Sequence, residues 1–446
     1  MASTSIRRAE TDPNNGSATT ATFSVWFKRS KVGSYQTIYN HRYSNSYEFK
    51  FMMYNDDRLY LICTRSSTVL EFLTSRKFRD VNGWYHLVIA VDSSQATESN
   101  RVKIYVNGVQ ETAFDTATYP SQDANLNLDG GNSYYNNIGS RGDGSSEYWD
   151  GSMAYFAKID GTQELPTIFG STDTTTGEWK IKTSITPSSS WGNKPFFILK
   201  DGNSLTDQSG SSKDFSSHQG TLTKTEDCPS NVFCTVNELD NYFTNTTLYN
   251  GNTQIDFNNG WAFNTGTLGF NSGKWYWEVR SNNWSAGNQA YGITSAIADG
   301  TGDEFYNNSG AGAGYGLYNN GVIYGNGSVQ GSGYTSSGTP YIGMIAVDAD
   351  NNQIWFGANG SWETGSGPGS TGVSIAALST QTSGFWFPAF SGGVSSSGNN
   401  FQINFGNGYF GTTAVSSAGT NASGNGIFEY DVPTGYTALS TKGLNL

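Results

Sequence analysis

Cysteine is nearly absent: three in 446 residues make no disulfide framework. Cys63 lies in a strand-like run and reads as a buried thiol. Cys228 and Cys234 are near enough in sequence to pair, but a chain with no visible export signal favours free thiols. Histidine is equally scarce. His41, His86 and His218 are far apart, and no ligand cluster with transition-metal spacing accompanies them. No apolar run approaches the roughly 18 residues of a membrane span, so membrane insertion is not expected. The opening MASTSIRRAETDPNN lacks the apolar stretch of a secretory signal. Basic charge is short as well: 25 Lys and Arg stand against 37 Asp and Glu, for a formal charge of −12. That balance excludes the basic surface that duplex nucleic acid requires. Helical 3.6 periodicity, heptads, Gly-X-Y triplets and short solenoid repeats are also missing, so no fibrous stalk is expected.

What is present is glycine (55 residues) and aromatic side chains (14%). The aromatics supply enough apolar area for packed cores, and glycine with Asn, Ser and Thr supplies turns, which together read as all-β. Period-2 alternation marks the strands. Phe23, Val25 and Phe27 share a face, as do Val102, Ile104 and Val106. Trp275, Trp277 and Val279 do the same, and so do Phe401, Ile403 and Phe405. Two similar hairpins stand out, WYHLVIAVD (84–92) with KIYVNG (103–108), and YIGMIAVDADNNQIWFGANG (341–360). Each return strand ends on Asn-Gly, which tolerates positive φ and favours a tight turn. At 446 residues the chain is long enough for two domains or more. The strand clusters place one sandwich in 1–165, an irregular connector in 166–250 and a second sandwich in 251–446.

The segments ATFSVWFKRS, GWYHLVIAVDSSQATESNRVKIYVNGVQ and NNIGSRGDGSSEYWDGSMAYFAKIDGT resemble a concanavalin A-like jelly roll of the laminin-G type over residues 22–160. STSIRRAE stands, shortened, where that family has its first strand. The segments SGKWYWEVR, YGIT, GYGLYNNGVIYGNG, IGMIAVDADNNQIWFGANGSW, FWFPAFS and FQINFG resemble a SPRY domain over residues 272–446. This order of modules, with a connector like FILKDGNSLTDQSGSSKDFSS and an end like VPTGYTALSTKGLN, is similar to a group of phage structural proteins. The resemblance implies two β-sandwiches that bind glycans or proteins through loops on a virion, assembled in the host cytoplasm. Fold alone does not give function.

Carbohydrate recognition needs flat rings beside Asn, Asp and Arg side chains. The loop 130–151 offers Tyr134, Tyr135, Arg141, Asp143 and Trp149; the plainer reading is that Tyr135 and Trp149 cap the sandwich. Arg141-Gly142-Asp143 spells an integrin-type tripeptide, read here as chance. In the second half Trp284, Tyr306, Tyr334 and Trp362 lie in Gly/Ser/Asn-rich loops and are candidate contacts, against the plainer reading of core edge. Trp84, Trp275, Trp277 and Trp355 sit in strand runs and read as core. Asp92, Asp143 and Asp150 are weak Ca²⁺ candidates on the pattern of laminin-G-like domains; otherwise no cofactor is expected. A glycosidase on such a frame needs two carboxylates about 5 Å apart. The nearest carboxylate run, Glu429-Tyr430-Asp431, leads only to Pro433. The expectation is therefore a non-enzymatic phage virion protein: a tail fibre, tail tip or capsid decoration. It would be a homo-oligomer, a trimer above all, held through residues 166–250, and would contact other virion proteins and a host-surface glycan or protein. Its host-facing surface is expected in the C-terminal half. The alternatives are a bacterial glycan-binding or adhesion module and, behind it, a polysaccharide-degrading enzyme.

Overall fold

Strand alternation in the sequence becomes two sets of stacked sheets in the computed structural model, one within residues 1–224 and one within 225–446. The structure describes residues 4–10, 15–128, 134–200, 204–240, 246–258, 261–284, 288–296, 305–306, 313–335, 337–338, 340–381, 383–393 and 400–445. Among them no α-helix occurs, only single turns of 3₁₀ helix. The molecule is all-β.

The first unit holds β1 (Ser5–Ala9), β2 (Thr20–Arg29), β3 (Gln36–Ser44), β4 (Tyr47–Met53), β5 (Arg58–Arg65), β6 (Thr68–Lys77), β7 (Trp84–Asp92) and β8 (Val102–Val106). It continues with β9 (Val109–Glu111), β10 (Phe114–Thr118), β11 (Tyr135–Ile138), β12 (Gly151–Asp160), β13 (Gly170–Thr172), β14 (Trp179–Ile181), β15 (Phe196–Ile198) and β16 (Ser216–Gln219). One sheet runs β10-β6-β5-β4-β3-β11-β1-β16, and the other runs β15-β12-β2-β7-β8-β9. The shortened first strand is real, pairing Ile6 with Ile138 of β11. Phe23, Val25 and Phe27 meet Phe49, Phe51, Leu61 and Phe72 in the core between the sheets. The Asn107-Gly108 turn takes φ of 49° and 78°, the left-handed values that only such a pair adopts easily.

The second unit holds β17 (Thr246–Tyr249), β18 (Gln254–Phe257), β19 (Ala262–Thr265), β20 (Lys274–Ser281), β21 (Ala290–Thr294), β22 (Gly314–Tyr318), β23 (Val322–Gly325), β24 (Ser328–Ser332) and β25 (Tyr341–Asp348). Then come β26 (Gln353–Ala358), β27 (Ser361–Trp362), β28 (Val373–Ser374), β29 (Phe387–Gly392), β30 (Asn400–Asn404), β31 (Tyr409–Phe410), β32 (Thr413–Ala414) and β33 (Thr437–Ala438). Its main path is β17-β18-β30-β20-β25-β26-β27, facing a sheet of order β19-β29-β21-β22-β23-β24. Trp275, Trp277, Val279, Phe401, Ile403 and Phe405 fill the core, as their alternation predicts.

The expected connector is not a separate element. Residues 166–224 fold with the first unit and residues 225–250 with the second. The apolar island at 196–199 is the reason. Phe196 and Ile198 enter the first core as the edge strand β15, paired with β12, while Phe197 points to the opposite side. Phe196, Phe197 and Ile198, in the segment expected to hold the oligomer, are therefore buried within the chain.

Two sheets per unit leave four faces that point away from the cores, and three of them are roofed by the chain itself. In the first unit, Val88, Tyr105 and Ile159 lie under Phe169, Ile185 and Trp191. Beside them Trp26, His86 and Trp179 stack in series, with ring centroids 4.6 and 5.9 Å apart. In the second unit, Tyr276, Met344, Ala346 and Trp355 lie under Phe428, Val432 and Tyr436 of the C-terminal segment. Its other sheet receives Phe305 and Tyr306 against Phe263, Ala290 and Ala389. That close approach demands glycine: a Cβ on Gly316 would stand 2.6 Å from the Phe305 ring. Among the described residues no hydrophobic cluster roofs the fourth face, on the eight-stranded sheet of the first unit, although Met52 of β4 is buried there.

Candidate functional site

The open face follows from alternation. Phe49, Phe51 and Met53 of β4 point into the core, so Glu48, Lys50 and Met52 point out, followed by Tyr54 in the turn. On β5, Leu59, Leu61 and Cys63 point in, leaving Tyr60, Ile62 and Thr64 outside; on β6, Glu71 stands beside Ile62.

At one end of these strands Tyr35, Tyr54 and Tyr60 form a contiguous row. Centroids are 5.1 Å apart for Tyr35–Tyr54, nearly edge-on, and 4.6 Å for Tyr54–Tyr60. Tyr35 is 47% exposed, while Tyr60 is 9% exposed. The Tyr60 hydroxyl donates to Glu71 Oε1 at 2.7 Å. Burial and the Glu71 hydrogen bond push the Tyr60 phenol far above its ordinary pKa, so it remains a neutral donor.

Next to the row lies a charged and amide-rich strip. Lys50 Nζ stands 3.5 Å from Glu147 Oε2 and 4.0 Å from Glu48 Oε1. Glu147 comes from the loop after β11 and also accepts from Thr37 Oγ1 at 2.7 Å. Asn40 Nδ2 donates to Glu48 Oε2 at 3.1 Å, and its Oδ1 accepts the Gly142 N–H at 2.7 Å, which pins that loop across the β3 side of the face. Arg42 pairs with Asp143 at 3.1 Å and Arg141 donates to Asn45 Oδ1 at 2.6 Å. The arrangement offers flat apolar ring surface, hydroxyl donors and carboxylate acceptors side by side. This is the chemistry that holds a sugar ring by its C–H face and its hydroxyl edge, or a polar peptide.

The residues singled out from the sequence divide sharply. Trp284 is fully buried in the core of the second unit, stacked on Tyr341 at 4.6 Å. Tyr306 is 2% exposed and stacked on Tyr324. Trp149 is 7% exposed and sits edge-on against Phe27, a cap of the first sandwich. None of these three can contact a ligand in this state, which corrects their reading as contacts. Tyr334 is half-buried against the second core, and Trp362 is half-buried against Tyr276 beneath the C-terminal segment. Tyr134 stacks between His41 and Tyr43. Tyr135 lies under the Arg7 guanidinium at 3.8 Å, on β11 between β3 and β1. Arg141 and Asp143 rim the open face. Trp84 is half-buried at the start of β7, whereas Trp275, Trp277 and Trp355 are core residues as read.

No three His, Cys, Asp or Glu side chains converge as a metal set among the described residues. Asp92 spends its oxygens on Thr20, Ser94 and Gln95. For Asp143, burial raises the carboxyl, but Ser145 and Arg42 outweigh it and hold the group well below the usual range. Burial raises Asp150. His86 is buried and neutral, its pKa pushed down to about 3. Trp179 Nε1 donates to its Nδ1 at 2.9 Å, so Nε2 carries the proton and donates to Ser24 Oγ. None of the three cysteines forms a disulfide among the described residues, and burial pushes the Cys63 thiol up to about 12, far from a reactive thiolate. The residues that sequence reasoning missed are Tyr35, Tyr54, Tyr60, Glu71, Glu48, Lys50 and Glu147.

Against known proteins, residues 5–164 match the family described as the concanavalin A-like lectin/glucanases superfamily, in its laminin G form. By its description that superfamily holds lectins and glucanases alike, and the likeness of the first unit to it is one of sequence over residues 5–164. No curated protein matches the chain. Among solved structures, the SPRY domain of human HERC1 is similar at 15% identity, over 38% of this chain and 96% of that one, with a TM-score of 0.29. The TRIM65 PSpry domain is similar at 17% identity, over 38% of this chain and 89% of that one, with a TM-score of 0.28. The native heptameric SAP-like pentraxin from Limulus polyphemus is similar at 16% identity, over 35% of this chain and 69% of that one, with a TM-score of 0.26. A lectin-like first sandwich is a carbohydrate- or protein-binding frame.

Proposed function

We propose that the chain is a non-enzymatic recognition protein of a phage virion, and that it binds a host-surface glycan through the open face of its first sandwich. The observation that carries the binding reading is the contrast among the sheet faces. Three are closed by the chain, and the fourth presents a tyrosine row beside unsaturated acceptors. Large rigid aromatics give contact area at low entropic cost, and neighbouring amides and carboxylates orient hydroxyl groups. This moves the host-facing surface from the second half, where the aromatic loops pointed, to the first.

A binding role fits the carboxylates better than catalysis does. Glu48 and Glu147 both ion-pair with Lys50, which stands between them, so neither is a carboxylate free to act on a glycosidic bond. The reading needs no calcium, because the rings and side chains make the contacts directly. The virion placement rests on the module order and its resemblance to phage structural proteins. A homotrimer is part of this proposal, since each single sugar contact is weak and multiplies by avidity.

Glycan-array binding by the purified full chain, repeated in EDTA, tests the recognition reading. Binding that survives chelation and is lost in Tyr54→Ala supports it; binding that chelation abolishes overturns the metal-free contact. Mass spectrometry of purified particles tests the virion role, and light scattering tests the trimer.

A further inference from the structure

We infer that the ligand of the open face is an uncharged glycan, and that Glu71 is the residue that selects against acidic ones. This deepens the glycan-binding reading and rests on it.

The charge layout argues the selectivity. The three cations nearest the strip and the ring row are already engaged, while Lys77, opposite Arg58 at the end of β6, is exposed. Lys50 is shared by Glu48 and Glu147, Arg42 is held by Asp143, and Arg58 is held by Asp56 and Asp115. A sulfated, phosphorylated or uronic-acid chain would therefore have to break an existing ion pair to gain Lys50, Arg42 or Arg58. Glu71, in contrast, takes part in no ion pair among the described residues, and it accepts the Tyr60 hydroxyl. One of its oxygens is thus left to accept from a ligand, at the Tyr60 end of the ring row. A carboxylate accepts hydrogen bonds and donates none, so it rewards a hydroxyl and repels an anion.

A cationic ligand is disfavoured by packing. Cation recognition by aromatics places the charge over ring faces. Here Tyr54 lies against both Tyr35 and Tyr60, at centroid separations of 5.1 and 4.6 Å, so no gap for an ammonium group remains between the rings. What the row presents instead is a set of tilted ring faces and edges, with interplanar angles of 75° and 51°, against which the C–H face of a pyranose can pack. Glu71 then sits where the ring's hydroxyl edge would fall.

The test uses the full chain and an array of uncharged, acidic and amino-bearing glycans, with Glu71→Gln and Tyr54→Ala as variants and thermal melting as the folding control. Gln keeps the shape and an acceptor for Tyr60 but removes the charge. We expect the parent to bind uncharged glycans, Tyr54→Ala to lose that binding, and Glu71→Gln to weaken it about tenfold while adding acidic glycans to the set. A parent that binds only acidic or only amino-bearing glycans overturns the charge assignment and leaves glycan binding standing. A folded Glu71→Gln with an unchanged profile removes Glu71 from the selection. A parent that binds nothing on the array overturns the glycan reading itself.

Discussion

The two sandwiches close themselves differently. The second unit roofs both of its outward sheet faces, one with the C-terminal segment and one with Phe305 and Tyr306. The first roofs one and leaves Tyr35, Tyr54, Tyr60 and Glu71 on the other. The same architecture thus yields a sealed body and a body with one wet face. The difference teaches that aromatic content in loops is a poor guide to contact. In the second unit the loop aromatics serve as plugs, while in the first the working aromatics lie on a strand and its flanking turns.

The strongest way to break this comparison is Trp284→Ala. If the ring is a plug, its removal leaves a large cavity beside Tyr341 and Tyr291 and costs the second unit about 3–5 kcal/mol in denaturant unfolding. Binding to glycan, measured below the new melting temperature, stays at the parental level. A variant that unfolds like the parent but no longer binds would reverse the roles of the two units.

Acid should separate the units next. Glu278 is buried in the second unit and accepts the N–H groups of Glu429 and Tyr430, both at 2.9 Å, together with the Tyr276 hydroxyl and Asn404 Nδ2. Burial dominates over these donors and raises its pKa to about 7. A carboxyl with a folded pKa above its unfolded value binds its proton more tightly when folded. The second unit therefore becomes more stable as pH falls from 8 towards 5, by on the order of 3 kcal/mol. In the first unit Asp57, Asp92 and Asp207 go the other way. Burial raises each, but backbone N–H groups and side-chain donors outweigh it and hold them low. Their contribution is present above pH 4 and fades as pH falls through their lowered pKa values. Separate unfolding transitions followed from pH 8 to 3 check both signs, and Glu278→Gln should flatten the second unit's response.

Much of the architecture was legible. Strict alternation in 23–27, 102–106, 275–279 and 401–405 places those residues in the cores, and both Asn-Gly turns take positive φ, at Asn107 and Asn359. The domain boundary was not legible, because short islands such as Phe196–Leu199 reveal their partner strand only in three dimensions. Most of the site was misplaced for a related reason. The pattern EFKFMMYNDDRLYLICTR does carry the signal: once Phe49, Phe51, Leu59 and Leu61 are assigned inward, Lys50 and Tyr60 must face out, with Tyr54 in the turn between them. Which outward faces stay open depends on distant segments that roof the others, and local periodicity is silent on that.

Lys50→Met sharpens the comparison at the face itself. It leaves Glu48 and Glu147 turned towards one another with no cation between them. The side chains are partly screened by solvent, so the cost to the first unit is about 2 kcal/mol, less than for a fully buried pair. High salt should recover part of that loss in thermal unfolding, while the second unit's transition stays fixed.

The smallest structural effect, and the most telling one, is expected at Tyr35. Its ring is 47% exposed, it precedes β3 rather than sitting within it, and it meets Tyr54 nearly edge-on. Truncation to Ala removes little from the core, so stability should shift by no more than about 0.5 kcal/mol, the usual range for a surface substitution. The ring nevertheless forms the outer third of the stacking row, and losing it should weaken glycan binding about tenfold. Tyr324→Ala in the second unit makes the matched control: that ring stacks on Tyr306 at 5.3 Å, so its loss should loosen the loop and lower the melting temperature without touching affinity. Measured side by side, the two variants cross: one changes binding with stability intact, the other changes stability with binding intact. If Tyr35→Ala binds like the parent, the row ends at Tyr54 and the contact surface is confined to Tyr54, Tyr60 and Glu71.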